Sequence, residues 1–258
     1  MSVEYQLTED IAVITFARPD RFNAIEATLS AGLVEALDRA GSESRAVVVT
    51  GAGKAFCSGA DLADLIEDYR LEGPDLQGRL ERIFHPMVNA LVECPVPTVA
   101  GVNGVAAGAG LGIALACDIR VMAQSASLTS AFTAIGLVPD SGTTWWLPQM
   151  VGVSRALELS MTNRRVGAGE ALALGLCAEV SPDETLVEKA IGFATRLADL
   201  VPDSLVTTRR LIRDASGSSF ATALQAEQRE QGRLGKTPEH MEGVNAFLEK
   251  RKPDYRKP

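Results

Sequence analysis

Histidine, cysteine and surplus positive charge are all scarce in this sequence. Its 258 residues include 25 lysines and arginines against 33 aspartates and glutamates, a formal net charge of −8. A general nucleic-acid binder needs a basic footprint, so no nucleic-acid partner is expected. The two histidines, His85 and His240, exclude a histidine-rich metal site and leave few candidates for a Ser-His-Asp triad. Cys57, Cys94, Cys117 and Cys177 form no CxxC pair and match no zinc template, so no metal is expected. The opening MSVEYQLTED lacks the apolar run of a signal peptide. The longest apolar stretch, residues 96–116, is broken by Pro97, Asn103 and several glycines, which makes it a poor membrane span. No membrane partner and a cytoplasmic, reducing setting are the expectations.

What is present suits a folded α/β chain. Hydrophobic residues make up 46% and charged residues 22%, enough for a core that needs no disulfide or metal. Val3, Tyr5 and Leu7 alternate, Glu9-Asp10 offers a turn, and Ile11, Val13 and Thr15 continue, which reads as a hairpin. Leu29, Leu33, Val34 and Leu37 fall on one helical face. Residues 45–51 form a short continuous apolar run, the mark of a strand covered on both faces. Further strands are expected over 98–102 and 119–123, with an apolar helix over about 109–117 between them. Strands alternating with helices indicate α/β architecture. From about Glu184 the pattern is helical only, through Leu186, Ala190, Phe193 and Leu197, then Phe220 and Leu224, then residues 241–252. The expected division is a core over 1–195 and a helical region over 196–258.

Two glycine-bearing segments could carry chemistry. In the first, residues 50–62, Gly53-Lys54 suggests a phosphate loop, but Ala55 stands where a Ser or Thr would bind magnesium. In the second, residues 103–112, Gly108-x-Gly110 suggests a dinucleotide loop, but Ile113 replaces its third glycine. Both segments equally suit an oxyanion hole: small residues admit a ligand close to the backbone, and free N–H groups at a helix start favour negative charge. Close packing of helix on strand also uses glycine and alanine, so glycine alone leaves both readings open.

Six motifs, spread in order over nearly the whole chain, resemble the crotonase, or enoyl-CoA hydratase/isomerase, superfamily. They are RPDRFNA from Arg18, AFCSGADL from Ala55, VNGVAAGAG from Val102, ACDI from Ala116, IGLVPDSG from Ile135 and EGVNAFLEKRKP from Glu242. The resemblance implies a crotonase-like spiral of ββα units with a C-terminal helical trimerisation region, a homotrimer or a hexamer of two trimers, and a coenzyme A thioester as ligand. It implies no required cofactor beyond the coenzyme A of that substrate. It carries the oxyanion-donating backbone N–H groups onto Ser58 and Ala109.

Carboxylates then decide the chemistry. Hydratase members carry two glutamates, at the positions of Gly112 and Phe132 here. Neither glycine nor phenylalanine can orient or deprotonate water. One acid remains nearby, Asp140, in the segment Pro-Asp-x-Gly-x-Thr-Trp, which is similar to the ring-1,2-epoxyphenylacetyl-CoA isomerase branch and puts the catalytic aspartate there. A single carboxyl group can take a proton alpha to the thioester and return it further along, provided that its pKa is raised by apolar surroundings. Phe132, Trp145 and Trp146 are the expected source of those surroundings. Pro-Asp-x-Gly is also turn chemistry in its own right. Chlorobenzoyl-CoA dehalogenase relatives add a histidine and a tryptophan; Asn89 and Phe132 stand near those positions, and His85 reads as a structural or surface residue. Arg18, Arg21 and Lys54 are candidates for the coenzyme A phosphates, as is the cluster Lys250, Arg251, Lys252, Arg256 and Lys257. Ala60, Asp61 and Leu62 resemble the stretch that touches adenine, and Phe247 and Lys250 the helix that covers it. The expected activity is an acyl-CoA isomerase that shifts a double bond or rearranges a ring epoxide. The alternatives are a hydratase with a nonstandard carboxylate and a noncatalytic acyl-CoA-binding homologue.

Overall fold

The computed structural model describes residues 2–70 and 73–256. The chain opens with the expected hairpin: β1 (Val3–Thr8) and β2 (Ile11–Phe16) pair antiparallel about a turn in which Glu9 takes a positive φ of 54°. Leu7, near the end of this edge strand, is 41% exposed. Helix α1 (Ala27–Glu43) buries Leu29, Leu33 and Leu37. Each following turn of chain makes two strands and then helix. β3 (Ala46–Gly51) and β4 (Ala55–Cys57) precede α2 (Ile66–Arg70), α3 (Leu76–Arg79) and α4 (His85–Glu93). β5 (Thr98–Val102) and β6 (Val105–Ala107) precede α5 (Ala109–Ala116). β7 (Ile119–Ala123) and β8 (Ser127–Thr129) precede α6 (Thr143–Thr162). β9 (Val166–Gly167), α7 (Ala168–Ala173), β10 (Glu179–Ser181) and α8 (Leu186–Ala198) complete the core.

The first strand of each pair enters a six-stranded sheet ordered β1-β2-β3-β5-β7-β10, parallel except for the hairpin. The second enters a smaller sheet ordered β4-β6-β8-β9. The expected α/β spiral of ββα units is therefore present. The apolar run predicted as a strand buried on both faces is β3, flanked by β2 and β5 and buried from Ala46 to Thr50. Helix α8 lies on the large sheet, with the Cβ of Ala190 3.3 Å from where a side chain at Gly101 would begin. The boundary expected at 195/196 falls inside this helix.

Three further helices, α9 (Pro202–Ala215), α10 (Phe220–Leu234) and α11 (Pro238–Glu249), form the C-terminal region. Phe220 and Leu224, whose spacing marks an apolar face, are 80% and 47% exposed in the single chain. That face is open rather than part of the core. Among the described residues, no helix is long and apolar enough to cross a membrane.

Candidate active site

The two glycine-bearing segments meet at one place. Gly59 (φ +94°) and Gly108 (φ +55°) both adopt left-handed backbone, and a Cβ on Gly59 would lie 3.5 Å from the nitrogen of Ala109. Only glycine tolerates such φ values with another backbone so near. Two asparagines brace the turn beneath. Buried Asn23 accepts from the N–H of Arg18 at 2.9 Å and donates to the carbonyls of Ala52 and Ala55. Asn103 accepts from the N–H of Gly51 at 3.0 Å and donates to Gly53 and Ala55. The glycines 104 and 110 serve packing instead: a Cβ on either would fall 2.1 Å from a carbonyl oxygen, of Lys54 and Cys57 respectively.

The amide expected at Ser58 is not free. It donates to the carbonyl of Phe22 at 3.0 Å. Two residues on, Ala60 centres a parallel bridge with Ile25. The N–H of Ile25 donates to Gly59 at 2.7 Å, and the N–H of Asp61 donates to Ile25 at 2.9 Å. Both bridge bonds thus use the peptides flanking Ala60, whose own N–H faces the other way. Across from it, the N–H of Gly108 donates to Thr129, while Ala109 opens α5, so its N–H has no helical acceptor. The pair of unengaged amides is Ala60 and Ala109, a correction of the sequence reading by one strand repeat.

Both alanines line a cavity of about 430 Å³. Its walls are apolar: Leu62, Leu76, Leu80 and Phe84 on one side, Phe132, Ile135, Leu137 and Val138 on the other. Among the described residues that line it, Asp140 is the one acidic residue and Arg79 the one basic residue. Half-buried Asp140 accepts from the Ser141 hydroxyl at 2.8 Å. Burial pushes its carboxyl above the ordinary aspartate value; the Ser141 bond and the charge of His85 oppose this and do not cancel it. His85, expected as a structural or surface residue, is exposed at the start of α4, yet its field reaches Asp140. Phe132 supplies apolar surroundings as expected. Trp145 and Trp146 do not: they line a separate groove between α6 and α9, where Arg213 stacks 4.7 Å over the Trp146 ring.

The position of Gly112 explains why no second acid stands here. A Cβ at that residue would lie 2.5 Å from the Ser141 oxygen and 2.6 Å from its Cβ. The loop bearing Asp140 occupies the volume that a glutamate would need.

The candidate phosphate-binding residues divide. Arg18 is committed: it pairs with Asp61 at 3.0 Å and Glu26 at 3.5 Å and donates to the carbonyl of Ala24. Asp61 is buried and also caps the following turn through the N–H of Ala63, so its carboxylate is spent on structure. Leu62 lines the cavity. Arg21 and Lys54 are exposed on adjacent turns and, among the described residues, have no ion-pair partner. Phe247, 82% exposed, lines a different groove on α11, and neither it nor Lys250 reaches the cavity within one chain. In the basic cluster, Arg251 pairs with Glu242 and Glu249, and Lys252 and Arg256 with Asp199. Lys257 lies outside the described residues. The braces Asn23 and Asn103 were visible in the motifs only as letters, and Arg79 had no signal at all.

Comparison with known proteins gives the family. Residues 6–258 match the family model described as enoyl-CoA hydratase/isomerase. A Rhodobacter capsulatus protein described as a probable enoyl-CoA hydratase is 41% identical, covering 98% of this chain and 97% of that one. The 1,2-epoxyphenylacetyl-CoA isomerase of Escherichia coli is 37% identical, covering 95% and 94%. The crystal structure of an enoyl-CoA hydratase from Bacillus anthracis superposes with a TM-score of 0.92 at 33% identity, covering 100% of both chains. With a family model spanning all but its first residues, the chain belongs to the enoyl-CoA hydratase/isomerase family.

Proposed function

We propose that this protein is an acyl-CoA isomerase that moves a double bond, or rearranges a ring epoxide, in a coenzyme A thioester. The thioester carbonyl sits between the amides of Ala60 and Ala109, which hold the oxygen as negative charge develops on it. Asp140 removes the proton at C2 of a 3-enoyl thioester. The electron pair passes through the enolate, and the same carboxyl returns the proton to C4, leaving the conjugated 2-enoyl product. Atoms and charge balance with one acid–base group and no water. The observation that carries the reading is the pKa-raised Asp140, the one acid among the described residues lining an apolar cavity with two unengaged amides.

Coenzyme A recognition falls to Arg21 and Lys54 beside the Gly53 turn. Phe247 and Lys250 contribute from a neighbouring copy in a trimer or hexamer, an assembly in keeping with the open apolar faces of α10 and α11. Coenzyme A enters only as part of the substrate. A second reading, hydration with Asp140 as the sole carboxylate, is favoured by the name of the Rhodobacter relative. Parallel assays on a 3-enoyl-CoA and on crotonyl-CoA separate the two. Asp140→Asn is expected to abolish isomerisation and solvent deuterium incorporation at the alpha carbon. A near wild-type rate in that variant would defeat the mechanism, and no exchange in the wild type would indicate a binding protein without chemistry.

A further inference from the structure

Residues 140–143 form a tight turn. The N–H of Thr143 donates to the carbonyl of Asp140 at 2.9 Å, and both central residues are left-handed, Ser141 at φ 53° and Gly142 at φ 79°. Such turns favour glycine, asparagine and aspartate at the two central places, and Gly142 conforms. Ser141 does not, and it is 3% exposed, so neither backbone ease nor contact with water accounts for a serine there. Its hydroxyl donates to Oδ1 of Asp140 at 2.8 Å. Helix α5 backs it closely: even a methyl group at Gly112 would meet the Ser141 Cβ at 2.6 Å. A strained residue held in place by its surroundings, bonded to an acid that lines the cavity, points to a functional constraint.

A carboxyl group has two oxygens, and a proton shift within one substrate molecule needs the same oxygen to face both carbons. If the group turns over between removal and return, the proton is lost to water. We propose that Ser141 is a positioning residue: it ties Oδ1 of Asp140, so that the other oxygen both takes the proton at C2 and returns it at C4. In that step the C2–H bond breaks, the C4–H bond forms and the double bond moves from C3–C4 to C2–C3, while the serine keeps its own proton. The same bond favours the ionised carboxyl against the burial that disfavours it. From other elements the carboxyl is faced by His85 at the start of α4, and Arg79 of α3 lines the same cavity. The inference rests on the reading of Asp140 as the acid–base group.

A 3-enoyl-CoA carrying two deuteriums at C2, turned over in ordinary water, tests it. The readouts are the fraction of product with deuterium at C4, the pH profile of kcat/KM, and kcat and KM. Two variants are compared with the wild type. Ser141→Ala removes the hydroxyl and keeps the strained backbone, whereas Ser141→Gly removes the hydroxyl and relieves the strain. Both are expected to lower kcat by about 10-fold or more with little change in KM. Both should also reduce deuterium retention at C4 and move the acidic limb of the profile upward, since a bond to the ionised form is lost. Wild-type kcat, limb and retention in Ser141→Gly would overturn the proposal. So would a fall in kcat with limb and retention unmoved, which would leave Ser141 a turn residue only, and so would a wild type that retains no deuterium. Absence of isomerisation in the wild type, or a near wild-type rate in Asp140→Asn, would instead overturn the underlying reading of Asp140.

Discussion

Replacing Gly112 by alanine puts a methyl carbon where the Asp140 loop already sits. The new Cβ would lie 2.5 Å from the Ser141 oxygen, 2.6 Å from its Cβ and 3.2 Å from its carbonyl carbon. These are backbone-bound atoms, so no side-chain rotation relieves the clash. Restoring van der Waals contact requires the loop to retreat by about 1 Å, and overpacking of this kind costs about 1–3 kcal/mol. In a chain of this size that lowers Tm by roughly 2–10 °C. The retreat also moves Asp140 off the proton it must reach, and a displacement of about 1 Å can cost on the order of 100-fold in rate. The measurements are isomerisation of a 3-enoyl-CoA, alpha-proton exchange in deuterium oxide, and thermal unfolding. The expected result is a large fall in kcat with a small change in KM, since the coenzyme A contacts lie elsewhere. Gly112→Glu adds a carboxylate at the hydratase position and is expected to gain no hydration of crotonyl-CoA, because the same loop fills that space. Wild-type kcat and Tm in Gly112→Ala, or new hydratase activity in Gly112→Glu, would refute the packing argument.

Three more outcomes follow from the same coordinates. Ala109→Pro deletes one oxyanion donor at the first position of α5, where proline is otherwise tolerated; kcat should fall on the order of 100- to 1,000-fold, and an unchanged kcat would remove that amide from the mechanism. Asp140 must be ionised to act, so the acidic limb of kcat/KM should lie above the ordinary aspartate range. His85→Gln removes a charge that lowers this pKa and should move the limb further up, with a fixed limb counting against the coupling. Because the folded pKa is the raised one, stability is lost as pH climbs from the unfolded value (about 3.9) through the folded value, so Asp140→Asn should gain Tm relative to wild type only above that range. Asp118→Ala strips the acceptor shared by Thr98, Arg209 and Arg213 and should cost about 3–5 kcal/mol on denaturant unfolding; a loss below 1 kcal/mol would mark the network as solvated.

The large sheet was legible because its strands are continuous β-branched runs, as at Ala46–Gly51, with helix patterning between them. The small sheet was not. Its strands are two or three residues long (AFC, VAA, SLT and VG), too short to show a period of two. Helix α6 escaped for another reason: Pro148 lies inside it, and Gly152 breaks it at φ 74°, so no single stripe runs its length. Asp140 was legible from the motif around it. The unengaged amide at Ala60 was not, since a backbone donor leaves no mark on residue type, and only the bridge to Ile25 shows which N–H is left without a partner. The tryptophans misled because aromatic character says nothing about direction; both turn toward α9.

The C-terminal helices lie away from the cavity, yet they hold the helix whose first residue lines it. Helix α5 is eight residues long, so nearly all its carbonyls at one end and its N–H groups at the other lack helical partners. At its C-terminus, buried Arg120 donates to Cys117 at 2.8 Å and to Ala114 and Leu115 at 3.5 and 3.4 Å. Arg213, carried on α9, donates to Ala116 at 3.1 Å and is itself held by Asp118. Positive charge at this end complements the helix dipole; Arg213 also donates to Val92 at 3.1 Å, which ties the helix to α4, and Arg209, held by the same Asp118, donates to Cys94. With the C-terminus pinned and every residue of α5 buried, the free N–H of Ala109 at the opposite end has little room to move. A donor fixed before substrate arrives need not reorganise as charge develops, which is where such amides gain most of their effect. On the proposed mechanism the region beyond Ala198 therefore belongs to the catalytic unit in a physical sense, because its arginines set the position of the amide that the enolate would meet.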